Sequence, residues 1–234
     1  MYRIVKRIFD FTSSLLVLLI LSPLFLLVML ILRLTDEGNV FYMQERVGLD
    51  NRAVNIYKFV TMRSNSELYG SITRKGDPRI LPVGKFLRNT KINELPQLLN
   101  VLKGELSIVG PRPLFEEGFL LYPEGVQKQI YMDNKPGLTG IGSLFFRSEE
   151  EMLENLGEDT MAVYKEYIMP VKGELELWYR REKNLWIDLK IVLLTALSLF
   201  VPHQDLHLKA FKTLPISAVE GYKNLRTRIS LRQN

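Results

Sequence analysis

RNTKINELPQLLNVLKGELSIVGPRP, residues 88–113, decides how the rest of the chain is read. Apolar residues recur at helical intervals from Leu95 to Leu102, which predicts a short helix with Asn93-Glu94 at its start and Pro96 in a first turn that tolerates proline. Gly104 fits a helix stop. SIVGPRP then reads as a short strand entering a turn that two prolines stiffen around Arg112. Asparagine is a favoured N-cap and glutamate suits the positive end of a helix, so architecture alone explains Asn93-Glu94. An acid-bearing helix start joined to a rigid arginine turn also suits chemistry on a phosphorylated molecule.

Upstream, GDPRILPVGKFLR opens with a turn at Asp77-Pro78 and carries a second short helix from Val83 to Leu87. VFYMQERVGL, NIYKFVTM and SIT read as strands or extended pieces, separated by turn signals at Asp36-Glu37-Gly38 and Asp50-Asn51. Gln44, Arg46, Gly48 and Lys58 lie among apolar neighbours there. They suit a phosphate cradle or the exposed faces of strands, and spacing does not choose.

Between Asp10 and Arg33 no residue is charged. As a straight helix that run would reach about 33 Å, enough for a bilayer and apolar on every face, unlike most soluble core helices. Arg3, Lys6 and Arg7 precede it, but no small-x-small cleavage site follows, which argues against a cleaved leader. Ser22-Pro23 near its middle removes a backbone donor and bends the helix. Basic residues at both ends favour placing both on the cytoplasmic side, while an ordinary kinked span stays open on this ground alone.

The apolar fraction of 47% supports a packed core, and 234 residues suit one domain plus a membrane segment. Lys+Arg exceed Asp+Glu by 31 to 26, which favours anionic partners without selecting a class. The absence of cysteine excludes disulfides, thiolate catalysis and thiolate-bound zinc. His203 and His207 lack an acidic cluster nearby in sequence and read as solvated tail residues. LWIDLKIVLLTALSLFV, residues 185–201, reads as an amphipathic helix for the membrane plane or the core, with Trp178, Tyr179 and Trp186 at headgroup depth in the former case. Beyond Pro202 the chain reads as a basic, irregular tail, and the acidic stretch 148–158 as a solvated helix face or a specificity loop.

Taken in order, KRIFD, the helix broken at Ser22-Pro23, QERVG, YKFVTMR, GDPRI, GKFLRNTKINELPQLLNVLKGELSIVGPRPL, KPGLTG followed by Arg147, and WIDLKI make the chain resemble the bacterial sugar transferase family. These are monotopic phosphoglycosyl transferases, which load a sugar phosphate from a UDP-sugar onto polyprenyl phosphate. The resemblance implies an α/β fold, mainly helical with a small sheet. It implies a re-entrant membrane helix in residues 1–34, a catalytic domain in 35–202 with amphipathic interfacial helices, and the tail in 203–234. It places the chain on the cytoplasmic face of the bacterial inner membrane, with membrane lipid, UDP-sugar and polyprenyl phosphate as partners and Mg2+ as cofactor. Homo-oligomerisation stays open. A nucleic-acid-binding role rests only on the basic tail around Lys223, Arg226, Arg228 and Arg232, and no nucleic acid partner is expected.

By the same resemblance, a carboxylate attacks the sugar-proximal phosphate, UMP leaves, and polyprenyl phosphate takes up the phosphosugar. Glu94 is implied as the acid associated with the metal, Arg112 and Arg147 as substrate-binding cations, and Lys58 and Arg88 as further cations. The family carries Asp-Glu where this chain has Asn93-Glu94. A neutral amide is a poor nucleophile and offers magnesium no charged oxygen, so the aspartyl-phosphate step does not carry over to Asn93. Either Glu94 or direct attack by the carrier supplies the missing function, or the chain binds substrate without turnover.

Overall fold

The computed structural model describes residues 1–35, 38–63, 77–147, 149, 152, 160–200 and 206–233. The expected strand SIT and, apart from Glu149 and Met152, the acidic stretch 148–158 lie outside these residues. The fold is mostly helical with two small sheets, as the motif order implies for an α/β chain. Contacts divide it into two compact units, Met1–Lys6 with Arg46–Val54 and Glu105–Asn234, and Arg7–Glu45 with Asn55–Gly104.

In the second unit, the apolar run forms α1 (Tyr2–Ile20, whose first residues belong to the other unit) and α2 (Ser22–Arg33). They meet at a bend of 65°. Pro23 opens α2, and Ser22 Oγ donates to Leu19 O at 2.8 Å, satisfying a carbonyl exposed by the break. Among the described residues no single helix is long and apolar enough to cross a membrane, although the bent pair meets that test together. Leu15, Leu16, Leu19, Ile20, Leu26, Leu27 and Leu30 remain exposed along it. The opposite side of α2 buries Val28 and Leu32 against Phe59 and Leu87, while Phe25 packs 4.9 Å from Phe59.

Strands β1 (Phe41–Val47) and β2 (Ala53–Phe59) pair around a tight turn. Asp50 and Asn51 there adopt the left-handed conformation that short polar side chains tolerate, which is the turn predicted at those two residues. Two helices follow, α3 (Pro82–Asn89) and α4 (Gln97–Lys103), the latter stopped by Gly104 at φ 84°.

In the other unit, β3 (Ser107–Val109) and β4 (Gly137–Thr139) pair in parallel. Parallel pairing requires a long crossover, here holding α5 (Glu116–Phe119) and α6 (Glu124–Gln127). After α7 (Ile141–Phe145), α8 (Thr160–Val163) runs through a π turn over Tyr164–Ile168 into α9 (Met169–Glu182). Helices α10 (Leu185–Phe200), α11 (Leu206–Ala210) and α12 (Ile216–Gln233) complete the chain.

Three expectations change here. The predicted irregular tail is helical, and α12 buries Ala218, Tyr222 and Leu225, a helical stripe hidden in the sequence by the basic residues between them. His207 is buried rather than solvated, its ring 4.3 Å from that of Phe145. Trp178 and Tyr179 are core residues, not headgroup anchors, because α9 passes through the centre of the main cluster. In α10, Asp188 and Ile191 face inward while Trp186, Leu189, Leu193 and Leu197 form an exposed apolar ridge.

Candidate active site

Lys91, at φ 59°, turns the chain after α3 and opens a 3-10 turn over Ile92–Glu94. Glu94 N donates to Lys91 O at 3.0 Å and Leu95 N to Ile92 O at 3.1 Å, so Asn93-Glu94 lies in a bonded turn ahead of α4. Pro96, not Asn93, occupies the position before that helix. The Asn93 side chain is buried, and its Oδ1 meets no donor among the described residues. Architecture therefore does not account for Asn93 as it would for an N-cap. A buried acceptor left unpaired costs about 1–3 kcal/mol, which a bound donor or cation would offset. Glu94 beside it is half-buried.

Asn100, fully buried on α4, fixes this turn to β2. Its Oδ1 accepts from Tyr57 N at 2.9 Å and its Nδ2 donates to Asn55 O at 2.8 Å, so the amide replaces a neighbouring strand. Lys58 follows directly on β2, and its Nζ reaches Gln44 Oε1 on β1 at 2.8 Å, joining the YKFVTMR and QERVG motifs. Arg88, at the end of α3, donates from Nε to Thr61 Oγ1 at 3.0 Å. Asp77 is engaged by Arg79, whose side chain and backbone N–H both bond the carboxylate. Those bonds, with the charges of Arg79 and Arg88, hold Asp77 down at about 2. One compact unit thus gathers Lys58, Arg88, Asn93 and Glu94.

Arg112 and Arg147 belong to the other unit. The GPRP turn is pinned on several sides: Gly110 N donates to Thr139 O and Gly137 N to Pro111 O, both at 2.9 Å, and Tyr131 Oη donates to Arg112 O at 2.6 Å. Gly110 and Gly137 meet backbone to backbone, and a Cβ on Gly137 would overlap Gly110 N, which explains why both motifs carry glycine there. The Arg112 side chain is exposed, and its guanidinium makes no hydrogen bond among the described residues. Arg147 Nη1 reaches Thr195 O at 3.4 Å and contacts Ser198 Oγ on α10. Thr139 Oγ1 meets Thr195 Oγ1 at 2.8 Å, so the KPGLTG segment shares that mount.

Behind this turn lies a buried polar group that sequence reasoning did not single out. Glu176 accepts from Gly142 N at 3.2 Å through Oε1, while Oε2 has no donor among the described residues. Burial pushes this acid up to about 7, against the Gly142 hydrogen bond and the Lys172 charge. Lys172 holds both Glu149 oxygens at 2.6 Å, and burial pushes its ammonium down. Nothing in the local pattern KGELELWYR separates Glu176 from the solvent-facing glutamates of an ordinary helix.

Comparison with known proteins matches residues 1–202 to the family described as bacterial sugar transferase. The chain belongs to that family. Among curated relatives, family member "UDP-glucose:undecaprenyl-phosphate glucose-1-phosphate transferase" of Escherichia coli (strain K12) is 36% identical over 205 residues, 85% of this chain and 41% of its own length. "Exopolysaccharide production protein ExoY" of Sinorhizobium fredii (strain NBRC 101917 / NGR234) is 39% identical over 171 residues, 66% of this chain and 75% of its own. "UDP-N-acetylgalactosamine-undecaprenyl-phosphate N-acetylgalactosaminephosphotransferase" of Aeromonas hydrophila is 33% identical over 198 residues, 83% of this chain and 43% of its own. The chain thus spans about two-fifths of the first and third of these family members and three-quarters of the second.

Proposed function

We propose that this chain transfers a sugar 1-phosphate from a UDP-sugar to polyprenyl phosphate, undecaprenyl phosphate in bacteria, and releases UMP as the first membrane step of a glycan pathway. Family membership supports the reaction class, and relatives of similar identity name different sugars, so the sugar itself is left to assay. The observation that carries the reading is the buried Oδ1 of Asn93 beside Glu94, which meets no donor among the described residues.

With one carboxylate in the pair, one duty can be met by it. A carboxylate and an amide oxygen on adjacent residues suit Mg2+, which takes few protein ligands and fills the rest of its shell from phosphates and water. Among the described residues no group of three or more acidic or histidine side chains offers a self-sufficient metal cage. Glu94, with Asn93 Oδ1 as a neutral second donor, would hold the ion; when bound, it neutralises diphosphate charge and stabilises the leaving phosphate. With Glu94 so engaged, the nucleophile is the polyprenyl phosphate oxygen itself. That oxygen bonds to the sugar-proximal phosphorus, the bond from this phosphorus to the UMP oxygen breaks, and no proton has to move. Lys58 and Arg88, in the same compact unit as Glu94, serve as cations for the diphosphate.

The bent α1–α2 pair, with its exposed leucines, supports an anchor seated in one leaflet and a catalytic part at the cytoplasmic face. Basic residues at both ends of the pair agree with that orientation. Purified protein supplied with a panel of UDP-sugars, Mg2+ and undecaprenyl phosphate tests the reading. One sugar yielding undecaprenyl diphosphosugar and UMP is expected. No product from any sugar would favour a family member that binds without turnover, which the Asn93 substitution makes the second reading.

A further inference from the structure

We infer that Arg7, on the first turns of the proposed membrane helix, is a positioning residue for the catalytic turn: it clamps the far end of α4. Its Nη1 donates to Val101 O and its Nη2 to Leu102 O, each at 2.5 Å. These are among the last carbonyls of α4; Val101 O also accepts from the cap residue Gly104 N at 3.0 Å, and a cation there meets the negative end of the helix dipole. The guanidinium is half-buried and lies 5.7 Å from the Phe11 ring centre, so an aromatic face backs the clamp. Only a planar fork reaches two successive carbonyls at once; an ammonium offers the same charge from a single point.

The other end of α4 continues without a gap into the Asn93-Glu94 turn. Leu95 N bonds Ile92 O, Leu98 N bonds Leu95 O and Leu99 N bonds Pro96 O, so the segment moves as one body. Asn100 fixes its middle to β2 and Arg7 its C-terminal end to α1. Lys103 Nζ, which donates to Tyr57 Oη at 2.5 Å, also ties α4 to β2. Loss of Arg7 therefore frees the α1 side of the helix while its β2 side stays held, which tilts the segment and displaces Glu94 while retaining the fold. The sequence presents Arg7 as part of the basic flank of an apolar helix and of the KRIFD motif, without showing what it touches. The structure gives it a second duty that a charge-preserving substitution separates from the first.

This inference rests on the transfer reaction proposed above, and its test uses the full chain in lipid nanodiscs. Arg7→Lys keeps the flanking charge; topology is followed with single introduced cysteines, which a cysteine-free chain permits without background. The expected result is unchanged topology, KM for the UDP-sugar within about twofold, and kcat lower by about tenfold, since small misplacement of a reacting group has effects of this size. In Arg7→Ala, added guanidinium ion should restore part of kcat. Wild-type kcat in Arg7→Lys, or a loss confined to KM or to topology, overturns the inference. Should the unaltered chain release no UMP with any sugar, the transfer reading fails. Hydrogen exchange of the α4 amides then judges the clamp by itself, with unchanged exchange in Arg7→Lys overturning it.

Discussion

Two turns carry the candidate chemistry, and they are built on opposite terms. In the GPRP turn, Gly110 N and Gly137 N and the carbonyls of Pro111 and Arg112 all find partners, while the Arg112 side chain stands exposed. In the Asn93-Glu94 turn the backbone is equally well bonded, but a side-chain acceptor is buried with no donor among the described residues. The first turn is a finished mount that presents a cation. The second keeps inside the protein an acceptor that no described residue meets, the arrangement expected where stability is given up for binding.

The contrast yields graded expectations. The largest concerns the second turn: Glu94→Gln should lower kcat on the order of a thousandfold, about 4 kcal/mol, by removing the one carboxylate of the pair, with the melting temperature nearly unchanged. Steady-state assays and thermal melts on one preparation check both halves. For the first turn the effect should fall on stability instead. Gly137→Ala forces a methyl into Gly110 N and should cost about 3 kcal/mol or more in denaturant unfolding, whereas Gly125→Ala, with open space around it, should stay within about 0.5 kcal/mol.

A subtler expectation concerns Glu176 behind the first turn. Its folded pKa, about 7, lies above the 4.5 of an ordinary glutamate, so the folded state holds the proton more tightly. Its contribution is therefore complete below about pH 4.5, falls as pH rises toward 7 and is flat above that, a total of at most about 3 kcal/mol. Denaturant unfolding across pH 4 to 8 should show this decline, and Glu176→Gln should flatten it. Asp77, held down at about 2, acts in the opposite direction: its contribution is lost only as pH falls from about 3.8 through 2.

Local pattern made much of the second turn legible. The apolar spacing of Leu95 to Leu102, the stop at Gly104, the Asp50-Asn51 turn and the Ser22-Pro23 break all appear where residue physics puts them. What sequence could not show is pairing across distance. Arg7 reads as a membrane flank until the α4 carbonyls are seen beside it, and Asn100 as one more polar residue on a short helix until its amide meets β2. The C-terminal helix α12 is hidden in the sequence because three buried residues in a basic stretch give a weak stripe, and only the core shows that Ala218, Tyr222 and Leu225 share a face.

Direct transfer, as proposed, requires Asn93 to act as an acceptor and not as a nucleophile. Rapid-quench measurement of UMP release, with and without undecaprenyl phosphate, tests this most directly when run on the native chain and on Asn93→Asp. The native chain should release UMP only when the carrier is present, and Asn93→Asp should add a burst approaching one UMP per enzyme in its absence. A burst from the native chain without carrier would contradict direct transfer and move the covalent step onto Glu94.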